Sequence, residues 1–274
     1  MGLGLGCGGT VDFCGKNNVN CETNDSGTTL DAASVDAEAS TTMDAPLFGD
    51  AAPVDAALPG CAIATLGVVG TPDCTLFQNW LNGGNKAIGD LQDAVLTPAL
   101  LQPYRMLIVL QVTNNHAYSA NEVAVLDAWV KGGGGLMTLA GYEFGEEANL
   151  NVLLAAFGIQ TGKTGIMYDP NGLPTVTQWK PHAITTGISI LGFNNGLTVS
   201  GSGTALAGEN YQSTQYNVLM AEQVGQGHVV AWGDEWISRD TLWSQHPEMQ
   251  VQQFWQNVVD WLDPKSGCEV PTPK

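Results

Sequence analysis

Cationic side chains are scarce in this chain. Nine Lys and Arg stand against 27 Asp and Glu in 274 residues, a formal net charge of −18. Phosphate backbones and anionic headgroups are bound through Lys and Arg, so the charge balance argues against nucleic acid and anionic lipid surfaces as partners. Long apolar runs are missing too. No stretch of about 20 apolar residues occurs, so no helix is expected to span a membrane. Histidine is limited to four scattered residues with no HxxxH or CxxC spacing, which removes the usual zinc patterns. An acidic surface names no partner by itself.

What is present divides the chain. Residues 1–21 are rich in Gly and Asn and carry Cys7, Cys14 and Cys21. Residues 22–60 are mostly Ala, Asp, Thr, Ser and Pro, with no Lys or Arg. Such a segment cannot bury enough apolar surface to offset its ordering entropy, so a flexible acidic linker is expected. A globular domain is expected over 61–268, with a tail at 269–274. Leu-Gly-Leu-Gly-Cys at the start resembles the end of a bacterial lipoprotein signal. That resemblance implies an exported chain lipidated at Cys7, on the outer membrane or cell surface, with secretion as the alternative. A lipid followed by a linker would hold the domain away from a membrane.

Within the domain, apolar runs alternate with amphipathic stretches. AIATLGVV, KAIGDL, RMLIVLQV and GLMTLA read as strands; CTLFQNWL, TPALLQP, SANEVAVLDAWVK and EEANLNVLLAAFG read as helices. Ser119 with Glu122 three residues on is a capping pair, and Gly132 suits the C-terminal end. Residues 159–208 are rich in Gly, Thr and Asn and predict an excursion of small β elements and loops. YNVLMAEQ, the turn VGQG and HVVAWGDE form a strand pair. PEMQVQQFWQNVVDWL predicts a closing helix with Pro247 in its first turn. The fold class is α/β: a mostly parallel sheet with helices on both faces.

Several segments together carry a family resemblance: the helix ending in KGGGGL, the turn GYEFG, KPHAITTGI, and GQGHVVAWGDEW followed by FWQNVVDWL. In this order they resemble the class I glutamine amidotransferase-like superfamily, which is flavodoxin-like in architecture. The closer likeness is to its non-amidotransferase, ThuA-like branch, over roughly residues 61–263. In true amidotransferases the turn carries a Cys, and a later strand is followed by a His two residues before a Glu. Here the turn carries Glu143, and the later strand ends in Gly233, Asp234 and Glu235. Glutamine hydrolysis is therefore not expected, since a carboxylate does not replace a thiolate as acyl acceptor.

Ligands of open α/β sheets bind outside the C-terminal strand ends. Asn114, Asn115 and His116 follow one strand, Tyr142 and Glu143 another, and Asp234, Glu235 and Trp236 a third. The resemblance adds His182 near the pocket. Glu143 and Asp234 are the candidate catalytic carboxylates, against the plainer reading that each caps a helix or braces a loop. Trp236 and Trp243 fall in loops, where indoles beside carboxylates suit sugar faces, or else bury a loop. His228, at a strand start, is expected to be exposed, and His246 to punctuate a helix. No cofactor is expected, although paired carboxylates would accept a cation such as calcium.

Six cysteines in an exported chain suggest disulfides. Cys61 precedes the first strand and Cys268 follows the last helix, so both belong at one sheet edge and are expected to pair. Cys74, one strand length away, is expected to be free, and Cys14 to pair with Cys21 if Cys7 is lipidated. The leading expectation is an exported binder of a polar small molecule or glycan. The alternatives are a hydrolase using Glu143 and Asp234 as acid and base, and a structural or self-assembling surface protein, for which a homo-oligomer is natural.

Overall fold

The computed structural model describes residues 62–67, 74–83, 88–110, 112, 116–141, 146–170 and 172–263. Cys7, Cys14, Cys21, Cys61, Cys268 and the linker lie outside them, and so do the expectations placed there.

The chain runs β1 (Ile63–Leu66), α1 (Thr75–Gly83), β2 (Ile88–Gln92), α2 (Pro98–Leu101), β3 (Met106–Leu110), α3 (Ala120–Lys131), β4 (Gly135–Leu139) and α4 (Glu146–Leu154). The excursion follows, as β5 (Ile159–Thr161), β6 (Thr175–Val176), β7 (Gln178–Trp179), β8 (Leu191–Gly192) and β9 (Val199–Gly201). The hairpin β10 (Thr204–Tyr211) and β11 (Thr214–Val224) leads into β12 (Gly227–Trp232), α5 (Asp240–Gln245) and α6 (Val251–Leu262). The main sheet has the order β2-β1-β3-β4-β12-β11-β10-β7. The pairs from β2 through β12 are parallel, and those from β12 through β7 antiparallel.

Alternation along the central strands explains why both sheet faces are covered. Met106, Ile108 and Leu110 face one core with Phe77 and Leu81 of α1 and Phe254, Trp255 and Val258 of α6. Leu107 and Val109 face the other core with Leu101 of α2, Leu126 and Val130 of α3, and Leu150 of α4. A strand apolar at every position is what a sheet buried on both faces requires. The Ser119 cap forms as expected: its hydroxyl accepts from Glu122 N–H, and the Glu122 carboxylate accepts from Ser119 N–H at 2.9 Å.

Three expectations change. The last helix begins at Val251, and Pro247 sits in the turn before it, where Met249 N–H donates to the His246 carbonyl. Asp240–Gln245 forms a helix where a loop is expected. Cys74 is disulfide-bonded and so is not the free thiol expected.

Candidate functional site

The C-terminal ends of β4 and β12 lie side by side, because the two strands are parallel neighbours with Leu139 opposite Trp232. Gly141 follows β4, and Asp234 and Glu235 follow β12. A side chain at Gly141 would run into the Glu146 carboxylate and stand 3.0 Å from Glu235 Oε2. A Cβ there would force one or both of those carboxylates to shift. Glu146 is 4% exposed, Asp234 2%, Glu235 6% and Arg239 6%, so three carboxylates and one guanidinium are gathered out of water. Buried charge persists only when paired or hydrogen-bonded. Arg239 Nη2 meets Glu235 Oε1 at 3.0 Å, and its guanidinium carbon stands 4.7 Å from the Trp236 ring centre.

Asp234 is engaged by backbone N–H groups of two other residues. Its Oδ2 accepts from Asn194 N–H at 2.6 Å and its Oδ1 from Trp236 N–H at 3.1 Å. Burial pushes its carboxyl well above the usual carboxylate range; those two hydrogen bonds oppose the shift, Glu235 adds to it, and Arg239 counters it. The bond to Asn194 ties the excursion to the strand end. Leu197 N–H also donates to the Gly233 carbonyl at 2.6 Å. A side chain at Gly196 would meet that same carbonyl, so the two segments touch through backbone.

The indoles are used differently from the expectation. Trp236 and Trp243 are both half-buried and neither is in an open loop: Trp236 opens a 3-10 turn and Trp243 lies in α5. Trp243 Nε1 donates to the Ile237 carbonyl at 2.9 Å, and so does Trp255 Nε1. Trp243 also packs 6.0 Å from Phe77 and 5.8 Å from Trp80, centre to centre. It therefore anchors α5 to α1, leaving Trp236 as the indole beside the carboxylates.

His116 Nε2 lies 2.7 Å from Glu122 Oε1, and its carbonyl accepts from Asn149 Nδ2 at 2.9 Å. It thus links α3 to α4. Glu122 is buried, which alone would raise its pKa, but hydrogen bonds from Ser119, His116 and Leu96 bring it down to about 2. His182 is elsewhere. It packs against Trp261 of α6, as does His228 at the start of β12, which places both at the N-terminal sheet edge. His228 is half-buried rather than exposed. His246 ends α5 and meets Glu248 at 2.9 Å. Asn114, Asn115, Tyr142 and Glu143 lie outside the described residues. Among the described residues no three His, Cys, Asp or Glu converge as a metal-binding set.

Glu146 and Arg239 were missed from sequence. Glu146 reads as an ordinary first-turn helix acid. Arg239 carried the better signal: it is one of only nine Lys and Arg, and it stands seven residues after a buried strand's last Trp.

No protein-family model matches the sequence, and no curated protein matches it. Solved structures do. The mmIFT52 N-terminal domain is 18% identical, with a TM-score of 0.60 over 73% of this chain and 96% of that one. The cytoplasmic protein STM1381 from Salmonella typhimurium LT2 is 16% identical, with a TM-score of 0.54 over 74% and 99%. A ThuA-like protein from Bacteroides uniformis is 10% identical, with a TM-score of 0.51 over 80% and 97%. At such identities the likeness concerns the fold alone, and what this chain shares with them is an α/β fold built on a mostly parallel sheet.

Proposed function

We propose that this chain is an exported, surface-tethered protein whose domain binds a polar ligand, a glycan in the first instance, without turning it over. Export and tethering rest on the lipoprotein-like start at Cys7 and the acidic linker of 22–60. The binding site is the C-terminal edge of β4 and β12, with the half-buried Trp236 as the stacking face, positioned by the buried Glu235–Arg239 pair whose guanidinium carbon stands 4.7 Å from its ring centre. Sugar recognition suits an indole beside groups that donate and accept hydrogen bonds.

One observation carries the non-catalytic reading. Both oxygens of Asp234 accept from backbone N–H groups of this same chain, at 2.6 and 3.1 Å. A general base must reach the proton it removes. Asp234 instead fixes the excursion to β12. Its raised pKa favours the hydrolase alternative, but its geometry gives the carboxyl a bracing role.

Calorimetry of the full chain against glucose-, galactose- and mannose-based oligosaccharides tests the proposal. Binding by the wild type, lost in Trp236→Ala at unchanged melting temperature and without cleavage of the sugar, supports it. Release of shortened oligosaccharides would establish the hydrolase instead. No binding across the panel would remove the glycan.

A further inference from the structure

The last turn of α6 is held by two imidazoles. Trp261 lies 5.4 Å from the His182 ring and 4.4 Å from the His228 ring, centre to centre. Both contacts bind α6 to other elements. His182 caps the 3-10 turn Ala183–Thr185, its Nδ1 accepting from Ile184 N–H at 3.2 Å. That turn is tied to α6 a second time, by Asn257 Nδ2, which donates to the Ile184 and Thr186 carbonyls at 3.0 and 2.8 Å. His228 opens β12 and hydrogen-bonds to the Leu262 backbone. Its Nδ1 is buried with no hydrogen-bond partner.

We propose that His182 and His228 form an acid-sensitive latch on the C-terminal turn of α6, closed while both imidazoles are neutral.

The hydrogen bonding demands that neutrality. A proton on His182 Nδ1 would replace the acceptor that Ile184 N–H uses. A proton on His228 Nδ1 would create a buried charged donor with nothing to receive it, which is costly out of water. Burial lowers the pKa of both residues. The surrounding charges do not reverse this. Asp263, at the end of α6, partly offsets the shift of His228, and Asp263 is itself bound by Arg105 at 2.8 Å. Lys180, two residues before His182, is exposed. On β11, Gln223 opposes His228, and on β4 its neighbour is Gly135. An imidazolium beside an indole gains some cation–π attraction; against it stand the acceptor lost to Ile184 N–H at His182 and the unreceived buried donor at His228 Nδ1.

Both histidines therefore charge only at a cost to the closed latch. Residues 182–186 and the last turn of α6 loosen together as pH falls below the ordinary histidine value of 6.5. The middle of the sheet is unaffected, since α1, α3, α4 and the first turns of α6 cover it.

Hydrogen exchange of the full chain at pH 7.5 and 5.5, corrected for intrinsic rates, tests the latch. The expected result is a loss of protection of about tenfold or more at 183–186 and 258–263, with β3 and β4 unchanged. The double variant His182→Asn, His228→Gln should show no such pH dependence, since Asn keeps an acceptor for Ile184 N–H. Equal protection at both pH values, or a pH-dependent loss that survives in the double variant, overturns the proposal. Should the double variant not fold, NMR titration of both imidazoles in the wild type decides: values at or above 6.5 refute the latch.

Discussion

Arg105 Nε lies 2.8 Å from Asp263 Oδ2, while the backbone N–H of Arg105 donates to the Ala62 carbonyl at 2.8 Å. One residue at the foot of β3 therefore holds both the start of β1 and the end of α6. Asp263 is buried and Arg105 is over a third exposed, so part of the attraction is screened. Asp263→Asn should cost about 1–2 kcal/mol, the range for a hydrogen bond to a charged group after that discount. Urea unfolding measures it, and a change under about 0.5 kcal/mol would show that the ends are held by other contacts.

The same edge bears on the disulfides. Ala62 and Asp263 meeting at Arg105 is what a Cys61–Cys268 pair would need. Yet Cys74 is bonded, and it begins the segment after β1, toward the opposite edge. Non-reducing peptide mapping is expected to find Cys74 linked to one of the five other cysteines, and an alkylatable Cys74 in the unreduced protein would contradict the structure.

The β10–β11 hairpin turns through Gln212 and Ser213, both with positive φ, at 49° and 66°. Side chains beyond Cβ rarely adopt this left-handed region, and a two-residue hairpin turn of this kind favours Asn-Gly. Changing the pair to Asn-Gly should stabilise the domain by about 1 kcal/mol, seen as a higher urea midpoint with unchanged m-value. A lower midpoint would mean that the native pair makes compensating contacts at the tip.

Glu122 gives an acid limb distinct from the histidine latch. Its folded pKa of about 2 lies below its ordinary 4.5, so the folded state favours the carboxylate. This contribution is complete above pH 4.5 and is lost as pH falls from there toward 2, because the unfolded chain takes up the proton first. In Glu122→Gln the pH dependence of stability between 4.5 and 2 should flatten, on the order of 2–3 kcal/mol in all. An unchanged acid limb would place the responsible carboxylate elsewhere.

The sequence made the scaffold legible where one physical signal dominated. RMLIVLQV is apolar at nearly every position because β3 is buried on both faces, and Ser119 with Glu122 announces a helix start by its side-chain chemistry. Other features needed three dimensions. α5 is too short and polar to show a period, and it is fixed by Trp243 reaching the Ile237 carbonyl. Its Asp240 accepts from Leu76 N–H at 2.8 Å across 164 residues of sequence, so no local pattern could reveal it. At the site, Asp234 and Glu235 were legible as acids at a strand end. Their opposite uses were not, since the first depends on where the excursion folds back and the second on Arg239 lying a helical turn away.

Gly141→Ala tests the packing of the proposed site. The added methyl has no room beside the Glu146 carboxylate and Glu235 Oε2, so the pair must spread. Oligosaccharide binding should fall more than in Glu147→Gln, a change on the outer part of the same helix turn. Equal affinities in the two variants would mean that Gly141 does not border the ligand.

The central claim is that a polar ligand binds at the C-terminal edge of β4 and β12. Its most direct test is an NMR titration of the full chain with the oligosaccharide that binds best, following backbone amides and indole N–H signals. The account predicts saturable shifts at Gly141, Glu146, Glu235, Trp236 and Arg239, with Arg105, His228 and Trp261 at the opposite edge unchanged. Shifts confined to that opposite edge, or none at saturating oligosaccharide, would contradict it.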